Sequence, residues 1–207
     1  MREKRRGDIL EENRLADFDL RESIFVDANI FIDHASANPG YGKSCEGFLE
    51  KVESKNVVAI TTTAVLDEVG YILSLLEGAK ALKTEELKIV RKKLKEDQKL
   101  AVACYEKVHE YMKYVFFLCE RGLDIQKVEP KDVLTATMVG GEYMLLFTDS
   151  LHLSVMKRLK IKNIATRDSD FEKVKGIIYN MVPLMLQEEV LLCKSEHISE
   201  KWVERLE

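Results

Sequence analysis

Four acidic residues adjoin segments predicted to be strands or helices: Asp27, Glu68, Asp149 and Asp168. Asp27 ends the first predicted strand, and Asp168 follows the strand predicted at Asn163–Thr166. Glu68 lies in the helix after the second strand, and Asp149 immediately precedes another predicted helix. In open α/β sheets the carboxyl ends of the strands and the neighbouring helix starts converge on one crevice. We therefore expect the four carboxylates to share one site.

Carboxylates gathered in one place repel each other, and burial raises the cost unless protons or a cation compensate. Hard divalent cations prefer oxygen ligands, so a cluster of Asp and Glu without His or Cys favours Mg²⁺, with Mn²⁺ as the alternative. One or two such ions activate water and stabilise charge on a phosphodiester during in-line hydrolysis. The residue types therefore predict metal-dependent hydrolysis of a phosphate ester.

Each acid taken alone also has a simpler explanation. Aspartate is a favoured helix-capping residue, so Asp27 and Asp149 could serve only as caps. Asp168 and Asp170 could be loop residues, whereas Glu68 within an apolar helical stripe is harder to explain in this way.

Other conspicuous residues are given structural interpretations. His152, one turn into the helix after Asp149, is expected to pack or hydrogen-bond near the site rather than to react. The basic stretch Lys88–Lys95 is expected to be a solvated helix face, with contact to RNA phosphates as the alternative. Trp202 is expected to anchor the C-terminal tail by packing.

The elements that must position the acids alternate between strand and helix. Five strands are predicted, at Ile24–Val26, Val57–Ile60, "LDIQKVEP", Asn163–Thr166 and "KGIIYNM". Helices are predicted at Lys43–Glu53, around Val65–Leu76 with Gly78 as the stop, over 80–121 as one or two long helices, at Lys131–Tyr143, and from Ser150. Repeated crossover connections predict an α/β fold with a mostly parallel sheet.

Composition narrows the class of protein. The length of 207 residues fits one domain with extensions, and 46% hydrophobic with 33% charged residues is typical of a soluble globular protein. The net charge of -4 argues against strong attraction of nucleic acid by the whole surface, but permits a local basic face.

The four cysteines, the polar start of the sequence and the lack of a long apolar run predict a cytoplasmic protein. No Cys-x-x-Cys pair occurs, and the cysteines are expected to be reduced thiols. The start, "MREKRRGDILEENR", lacks the apolar stretch of a signal peptide. No apolar run approaches the roughly 20 residues of a membrane span, so no membrane partner is expected.

Four segments together resemble a known family. In order, "FVDANIF", "TTTAVLDEVGYIL", "FTDSLHLSVM" and "IATRDSDF" resemble the four acidic motifs of PIN-domain nucleases, in the style of VapC-type toxins and related prokaryotic and archaeal proteins. The resemblance covers roughly residues 23–183. It implies a three-layer α/β/α fold around a mostly parallel sheet of about five strands.

The resemblance also implies roles for individual residues. The catalytic residues would be Asp27, Glu68, Asp149 and Asp168. The metal, Mg²⁺ or Mn²⁺, would be held by Asp27, Asp149 and Asp168, with Asp170 as an additional carboxylate that could replace or assist Asp168. Asn29 and Thr166 would support the acidic cluster.

The function implied is a metal-dependent endoribonuclease, with the toxin of a toxin–antitoxin pair as one form of it. The expected partners are RNA, an antitoxin protein and a second copy in a homodimer. The alternative is a non-catalytic PIN-fold interaction module in RNA processing. A phosphatase is disfavoured because "DANIF" lacks the second aspartate of Asp-x-Asp phosphatases. We expect a polar N-terminal extension at 1–22, the nuclease domain at 23–183 including the helical region 80–121, and a C-terminal extension at 184–207 packed on or near the domain.

Overall fold

The computed structural model describes residues 22–181, which contain a five-stranded parallel sheet. Its strands are β1 (Ser23–Val26), β2 (Val58–Thr62), β3 (Leu123–Gln126), β4 (Asn163–Thr166) and β5 (Ile178–Met181). The sheet order is β3-β2-β1-β4-β5, and each neighbouring pair is parallel. Apart from Glu22, the predicted N-terminal extension lies outside the described residues, as does the C-terminal one with Trp202, so the proposed domain division stays a prediction.

Seven α-helices lie within residues 22–181. They are α1 (Ala28–Ala35), α2 (Gly42–Glu53), α3 (Thr63–Leu82), α4 (Leu87–Glu96), α5 (Gln98–Cys119), α6 (Pro130–Tyr143) and α7 (Phe147–Leu159). A 3₁₀ turn spans Ser169–Lys173. Within the described part of the chain, no helix has the length and apolar character needed to cross a membrane.

The order of the strands explains the three layers. From β1 the chain moves through β2 to β3 in one direction, and then crosses back to β4 and β5 on the other side of β1. Because crossovers between parallel strands are right-handed, reversing direction places α6 and α7 on the face opposite to α1–α5. Consistent with this, α1 contacts α2 and α3, α3 contacts α5, and α6 packs against α7. The predicted α/β/α fold is confirmed.

The same reversal creates the crevice where the acids converge. β1 lies between β2 and β4, so the connections that leave the carboxyl ends of β1 and β4 diverge to opposite faces. Ligands of open α/β sheets bind at such switch points. The backbone N–H of Asp27 donates to the carbonyl of Ala165 at 3.1 Å, which fixes the end of β1 beside the end of β4.

The central strand is buried on both faces, as a parallel sheet covered by helices requires. Ile24, Phe25 and Val26 are fully buried, and Phe31 of α1 and Leu153 of α7 belong to the same core. This packing holds the carboxyl ends of the strands rigidly.

Gly78 was predicted to stop the helix that follows β2, and this prediction was wrong. α3 continues to Leu82 and ends at Lys83, whose φ of 51° is left-handed. A Cβ placed on Gly78 would lie 2.6 Å from Cγ1 of Val90, which belongs to α4. Glycine is therefore required here for the close approach of two helices rather than for a turn.

The predicted start of the last long helix at Ser150 was also wrong. α7 begins at Phe147, after the extended residue Leu146, so Asp149 lies inside the first turn rather than before it. A negative charge in the first turn of a helix interacts favourably with the helix dipole. The correction places the Asp149 carboxylate at the N-terminal end of α7, facing the crevice.

Candidate metal centre and active site

Asp27 is held by three hydrogen bonds at the junction of β1 and α1. Its Oδ1 accepts from the backbone N–H of Ala28 at 2.7 Å, which makes Asp27 the N-cap of α1. Its Oδ2 accepts from the Thr166 hydroxyl and from the Asn29 amide, each at 2.6 Å. The carboxylate is therefore fixed in one orientation, and the two residues predicted to support the site both contact it.

Thr166 connects Asp27 to the fourth acidic segment. Its Oγ1 accepts from the Asn29 amide at 2.8 Å and from the backbone N–H of Asp168 at 3.0 Å. The ends of β1 and β4 thus share one hydrogen-bond network. Substitution of Asp27, Asn29 or Thr166 by alanine removes a hydrogen bond from at least one of the other two.

Asp27 is almost completely buried, with 6% of its surface exposed. Burial raises the pKa of Asp27 above its usual value, while the nearby His152 and the hydrogen bond from Thr166 act in the opposite direction. Burial is the largest cause of the raised pKa, because it removes water from the charged carboxylate. Protonation of Asp27 or a nearby cation would offset this loss of hydration.

Three further carboxylates form a compact group beside Asp27. One oxygen from each of Asp149, Asp168 and Asp170 can be chosen so that all three atoms lie within 4.8 Å of one another. All three side chains are partly exposed, so the group is open to solvent. The set offers oxygen ligands only, which fits Mg²⁺ or Mn²⁺ better than zinc or copper.

The charge of this group is unfavourable without a cation. The pKa of Asp149 is raised to about 6, chiefly by burial and then by the charges of Asp168, Asp27 and Glu68. No histidine or cysteine belongs to the group of three. The residues present therefore fit a divalent cation both in ligand type and in electrostatics.

Asp168 and Asp170 differ in their surroundings. Asp168 accepts a hydrogen bond from the backbone N–H of Asp170 at 2.9 Å and caps the 3₁₀ turn. Asp170 lies 3.1 Å from the ammonium of Lys173, which also donates to the carbonyl of Met144 at 3.0 Å. A lysine therefore already compensates Asp170.

Glu68 lies close to the acids but outside the compact group. Its charge contributes to the raised pKa of both Asp27 and Asp149, which places it near both carboxylates. Its side chain is 40% exposed and extends from the second turn of α3 into the crevice. All four acids predicted from the sequence are thus brought together.

His152 packs beside the site, where the sequence analysis expected it. Its ring is 1% exposed, packs at 5.6 Å from the ring of Phe25, and places Nε2 3.8 Å from a carboxylate oxygen of Glu68. Neither ring nitrogen has a hydrogen-bond partner within residues 22–181. The signal available in the sequence was the spacing of three residues from Asp149, which places both side chains on one side of α7.

An ion pair between the buried Asp33 and the exposed Arg167, at the rim of the site, was missed from the sequence. Nε of Arg167 lies 3.0 Å from Asp33, whose side chain is 3% exposed on α1. The other oxygen of Asp33 accepts from Asn38 at 2.9 Å, and the guanidinium lies 5.4 Å from the ring centre of Tyr41. The backbone N–H of Arg167 donates to Asn29 at 3.2 Å. The pair therefore supports the β4 end of the acidic site.

Replacing Arg167 by alanine is expected to destabilise the protein by about 1–3 kcal/mol, because it leaves the buried Asp33 without its charged partner. Burial raises the pKa of Asp33, and Arg167 opposes that shift. Adding Asp33→Asn to the Arg167→Ala protein should restore part of the loss. Urea unfolding of the four proteins of this cycle measures the coupling, and equal midpoints for all four would contradict it.

Comparison with known proteins identifies the family. The family model described as "PIN domain" matches residues 24–177. No curated protein sequence matches the chain significantly.

Similar solved structures include VapBC2 from Rickettsia felis, described as bound to a DNA fragment from its promoter. It has 16% identity and a TM-score of 0.46, and the alignment covers 77% of this chain and 98% of that one. VapC20 from Mycobacterium tuberculosis, described as a sarcin-ricin loop cleaving toxin, has 17% identity and a TM-score of 0.46, covering 72% and 92%. PAE2754 from Pyrobaculum aerophilum has 13% identity and a TM-score of 0.46, covering 89% and 98%.

The match to the PIN-domain family model spans well over half of the chain. It also includes every residue of the acidic site, from Asp27 at the end of β1 to Asp168 after β4. The chain therefore belongs to the PIN-domain family.

Proposed function

We propose that the protein is a divalent-metal-dependent endoribonuclease that hydrolyses RNA phosphodiester bonds. The observation that carries the proposal is the convergence of the four acids at the carboxyl edge of the sheet, where burial and mutual repulsion raise the pKa of Asp149 to about 6. An interaction module that used only the fold would gain nothing from such a cluster. The cost of gathering the charges therefore favours catalysis over the non-catalytic alternative.

In the proposed mechanism, Asp149 and Asp168 would hold Mg²⁺ or Mn²⁺ together with Asp27, and Asp170 would assist. The bound ion supplies activation of water and stabilisation of phosphate charge. Glu68, which is more exposed than Asp27, orients the attacking water and accepts its proton. Asn29 and Thr166 keep the carboxylate of Asp27 pointed into the crevice through the hydrogen bonds described above.

The direct test is to incubate the purified protein with total RNA and Mg²⁺ or Mn²⁺, and to sequence the new RNA ends. We expect discrete cuts that disappear with EDTA and with the Asp149→Asn protein. The same cuts from the Asp149→Asn protein would exclude this site. Hydrolysis of a small phosphate ester without any cleavage of RNA would indicate a phosphatase instead.

We also propose that a protein antitoxin controls the site and that the protein acts in the cytoplasm. The crevice gathers four carboxylates, and a basic side chain inserted by a partner would neutralise them in place of the metal. Such a partner would block both the cation and the RNA phosphate.

We propose that the protein forms a homodimer through an apolar surface beside the crevice, here called the α6–α7 patch. It consists of exposed residues of α6, the connection to α7 and the first residue of α7, namely Val133, Leu134, Met138, Met144, Leu146 and Phe147. Leu134 and Met138 lie one turn apart on α6 and are 70% and 72% exposed. Single exposed apolar residues are normal, but six of them within residues 133–147 favour an interaction surface.

Met138→Asp is expected to convert the dimer to a monomer, because it places a charge at the centre of the apolar contact. Size-exclusion chromatography with light scattering measures the mass. Val102→Asp is the matched control, since Val102 is 51% exposed on α5, outside the patch. A wild-type protein that is monomeric at micromolar concentration, or a dimeric Met138→Asp protein, would contradict the proposal.

A further inference from the structure

α4 is the most basic element of the described chain. Its ten residues, LKIVRKKLKE, contain five lysines and arginines and one acid, in a chain whose net charge is -4. All five cationic side chains are exposed. From the sequence this stretch was expected to be a solvated helix face, with contact to RNA phosphates as the alternative, so its position in the fold decides between the two interpretations.

Four of the five cations of α4 lie on one face. Lys88, Arg91, Lys92 and Lys95 follow the spacing i, i+3, i+4, i+7, which places them along a stripe about 10 Å long. On the opposite side, Val90 is fully buried and contacts α3 at Gly78. The close helix contact at this glycine fixes α4 in place, so the stripe is rigidly presented to solvent.

The stripe continues toward the acidic site through α3. The guanidinium of Arg91 lies 5.6 Å from the ring centre of Tyr71, which is 47% exposed. Tyr71 follows Glu68 by three residues, so the two side chains share one face of α3. Glu68 and Gly78 are separated by about 15 Å along the helix axis. A single bound RNA strand can therefore contact both the acids and α4.

Little of the charge on α4 is compensated within the protein. Lys92 lies 3.8 Å from Glu96, with both side chains more than half exposed, a geometry in which ion pairs contribute little. Among the described residues, no carboxylate lies within 4 Å of the ammonium groups of Lys88, Lys93 and Lys95. Glu and Lys paired at i, i+4 would keep a helix soluble and also stabilise it, whereas like charges at this spacing destabilise it.

We infer that the α4 stripe and Tyr71 form a binding surface for the RNA backbone outside the scissile bond. The inference rests on the proposed ribonuclease function and identifies how that substrate is held. Lysine ammonium groups bind phosphates as point charges, and an exposed tyrosine ring offers a face on which a base stacks. Phosphate binding by the stripe also relieves the repulsion among four neighbouring cations.

Binding of a fluorescent, unstructured single-stranded RNA oligonucleotide tests the inference. The Asp149→Asn protein serves as the cleavage-inactive parent, and Lys92→Gln/Lys95→Gln is compared with Lys160→Gln/Lys162→Gln. The control pair is exposed and precedes β4 at the amino edge of the sheet, opposite the acidic site. Thermal unfolding of each protein verifies that the substitutions leave the fold intact.

Each lost phosphate contact releases about 0.7 fewer counterions from a single strand, which is a factor of about 5 in affinity at about 0.1 M salt. The α4 double variant should therefore bind about 25-fold more weakly, with a salt slope smaller by about 1.4. The control pair should bind like the parent. Equal affinity and equal salt slope for the α4 variant and the parent would overturn the inference. The exposed cations of α4 would then be assigned to binding an acidic protein instead.

Cleavage assays separate this inference from the proposed function. In the otherwise wild-type protein, the α4 substitutions should raise KM for a long RNA while leaving kcat, and the cleavage of a dinucleotide, unchanged. An equal loss on the dinucleotide would overturn the inference, because it would place the effect at the acids. If the wild-type protein cuts no RNA with any metal, the proposed function fails, whereas the binding measurement still decides the role of α4.

Discussion

Asp27→Asn and Asp27→Ala are both expected to lower the rate of RNA cleavage by about a hundredfold to a thousandfold. Asp27 is the most deeply buried member of the acidic quartet, and its carboxylate is oriented by Asn29 and Thr166. Either substitution removes the negative charge that the cation requires. The measurement is the initial rate of cleavage with Mg²⁺ or Mn²⁺ in excess, compared with wild type.

The two substitutions should differ in stability. Asp27 is the N-cap of α1, and asparagine caps a helix about as well as aspartate, whereas alanine does not. Both variants remove the buried negative charge. The effect of that charge on stability is therefore the same in both and cancels when they are compared with each other. The asparagine variant should therefore be more stable than the alanine variant by about 1 kcal/mol in urea unfolding. A folded asparagine variant that cleaves RNA at the wild-type rate would exclude Asp27 from the mechanism.

The sheet and the convergence of the four acids could be predicted from the sequence because both depend on local patterns. Each strand is a short apolar run, and each acid adjoins an element that ends or begins at the same edge. α1 was not predicted, because Asp27 was interpreted as the end of a strand, and the eight residues that follow it are too short a helix to give a clear period. The cap of Asp27 on Ala28 shows why the helix begins there.

Contacts between distant segments could not be predicted in the same way. Arg167, directly after β4, pairs with Asp33 of α1 although no local pattern in the sequence connects them. Gly78 illustrates a related limit, since a glycine near the end of an apolar stripe indicates a stop in sequence, whereas here it accommodates Val90 of a neighbouring helix. The position of α4 beside Tyr71 depends on that same contact.

The structure also bears on a choice that the sequence left open, namely which acid of "TRDSD" is the principal one. Asp168 receives its backbone hydrogen bond from the residue it caps and belongs to the Thr166 network. Asp170 is paired with Lys173 at 3.1 Å. Because a carboxylate already paired with an ammonium group is a weaker ligand for a cation, we propose Asp168 as the principal fourth acid, with Asp170 in an assisting role.

Asp149→Asn is expected to abolish cleavage and, unusually for a substitution at a partly buried site, to stabilise the metal-free protein. The pKa of Asp149 is raised from 3.8 to about 6, first by burial and then by Asp168 and Asp27. Below about pH 3 the group is protonated in both the folded and the unfolded protein, so it contributes nothing to stability. Between about pH 4 and 6 the folded state binds more protons, and the free energy of unfolding therefore falls as the pH rises.

Above pH 6 the ionised Asp149 carboxylate lowers the free energy of unfolding by its full amount. Asparagine carries no charge and therefore removes this destabilisation. Because Asp149 is partly exposed, solvent screening reduces the effect, and we expect a gain of about 1–2 kcal/mol at pH 7 in EDTA. At pH 4 the difference between the variant and wild type should shrink to about a fifth of its value at pH 7. Thermal unfolding in EDTA at both pH values measures this difference. Asp67→Asn is the matched control, since Asp67 is exposed on α3 beside Glu68, outside the group of three carboxylates.

Adding Mg²⁺ or Mn²⁺ should reverse the order of stability at pH 7. An ion that binds only the folded state stabilises it in proportion to the logarithm of its concentration over Kd, and the variant has lost one of the carboxylates that would hold it. Wild type should therefore gain stability as the metal is titrated, while Asp149→Asn gains little. If Asp149→Asn is less stable than wild type in EDTA at pH 7, the carboxylates do not repel each other as the geometry requires. If metal stabilises both proteins equally, the ion binds elsewhere.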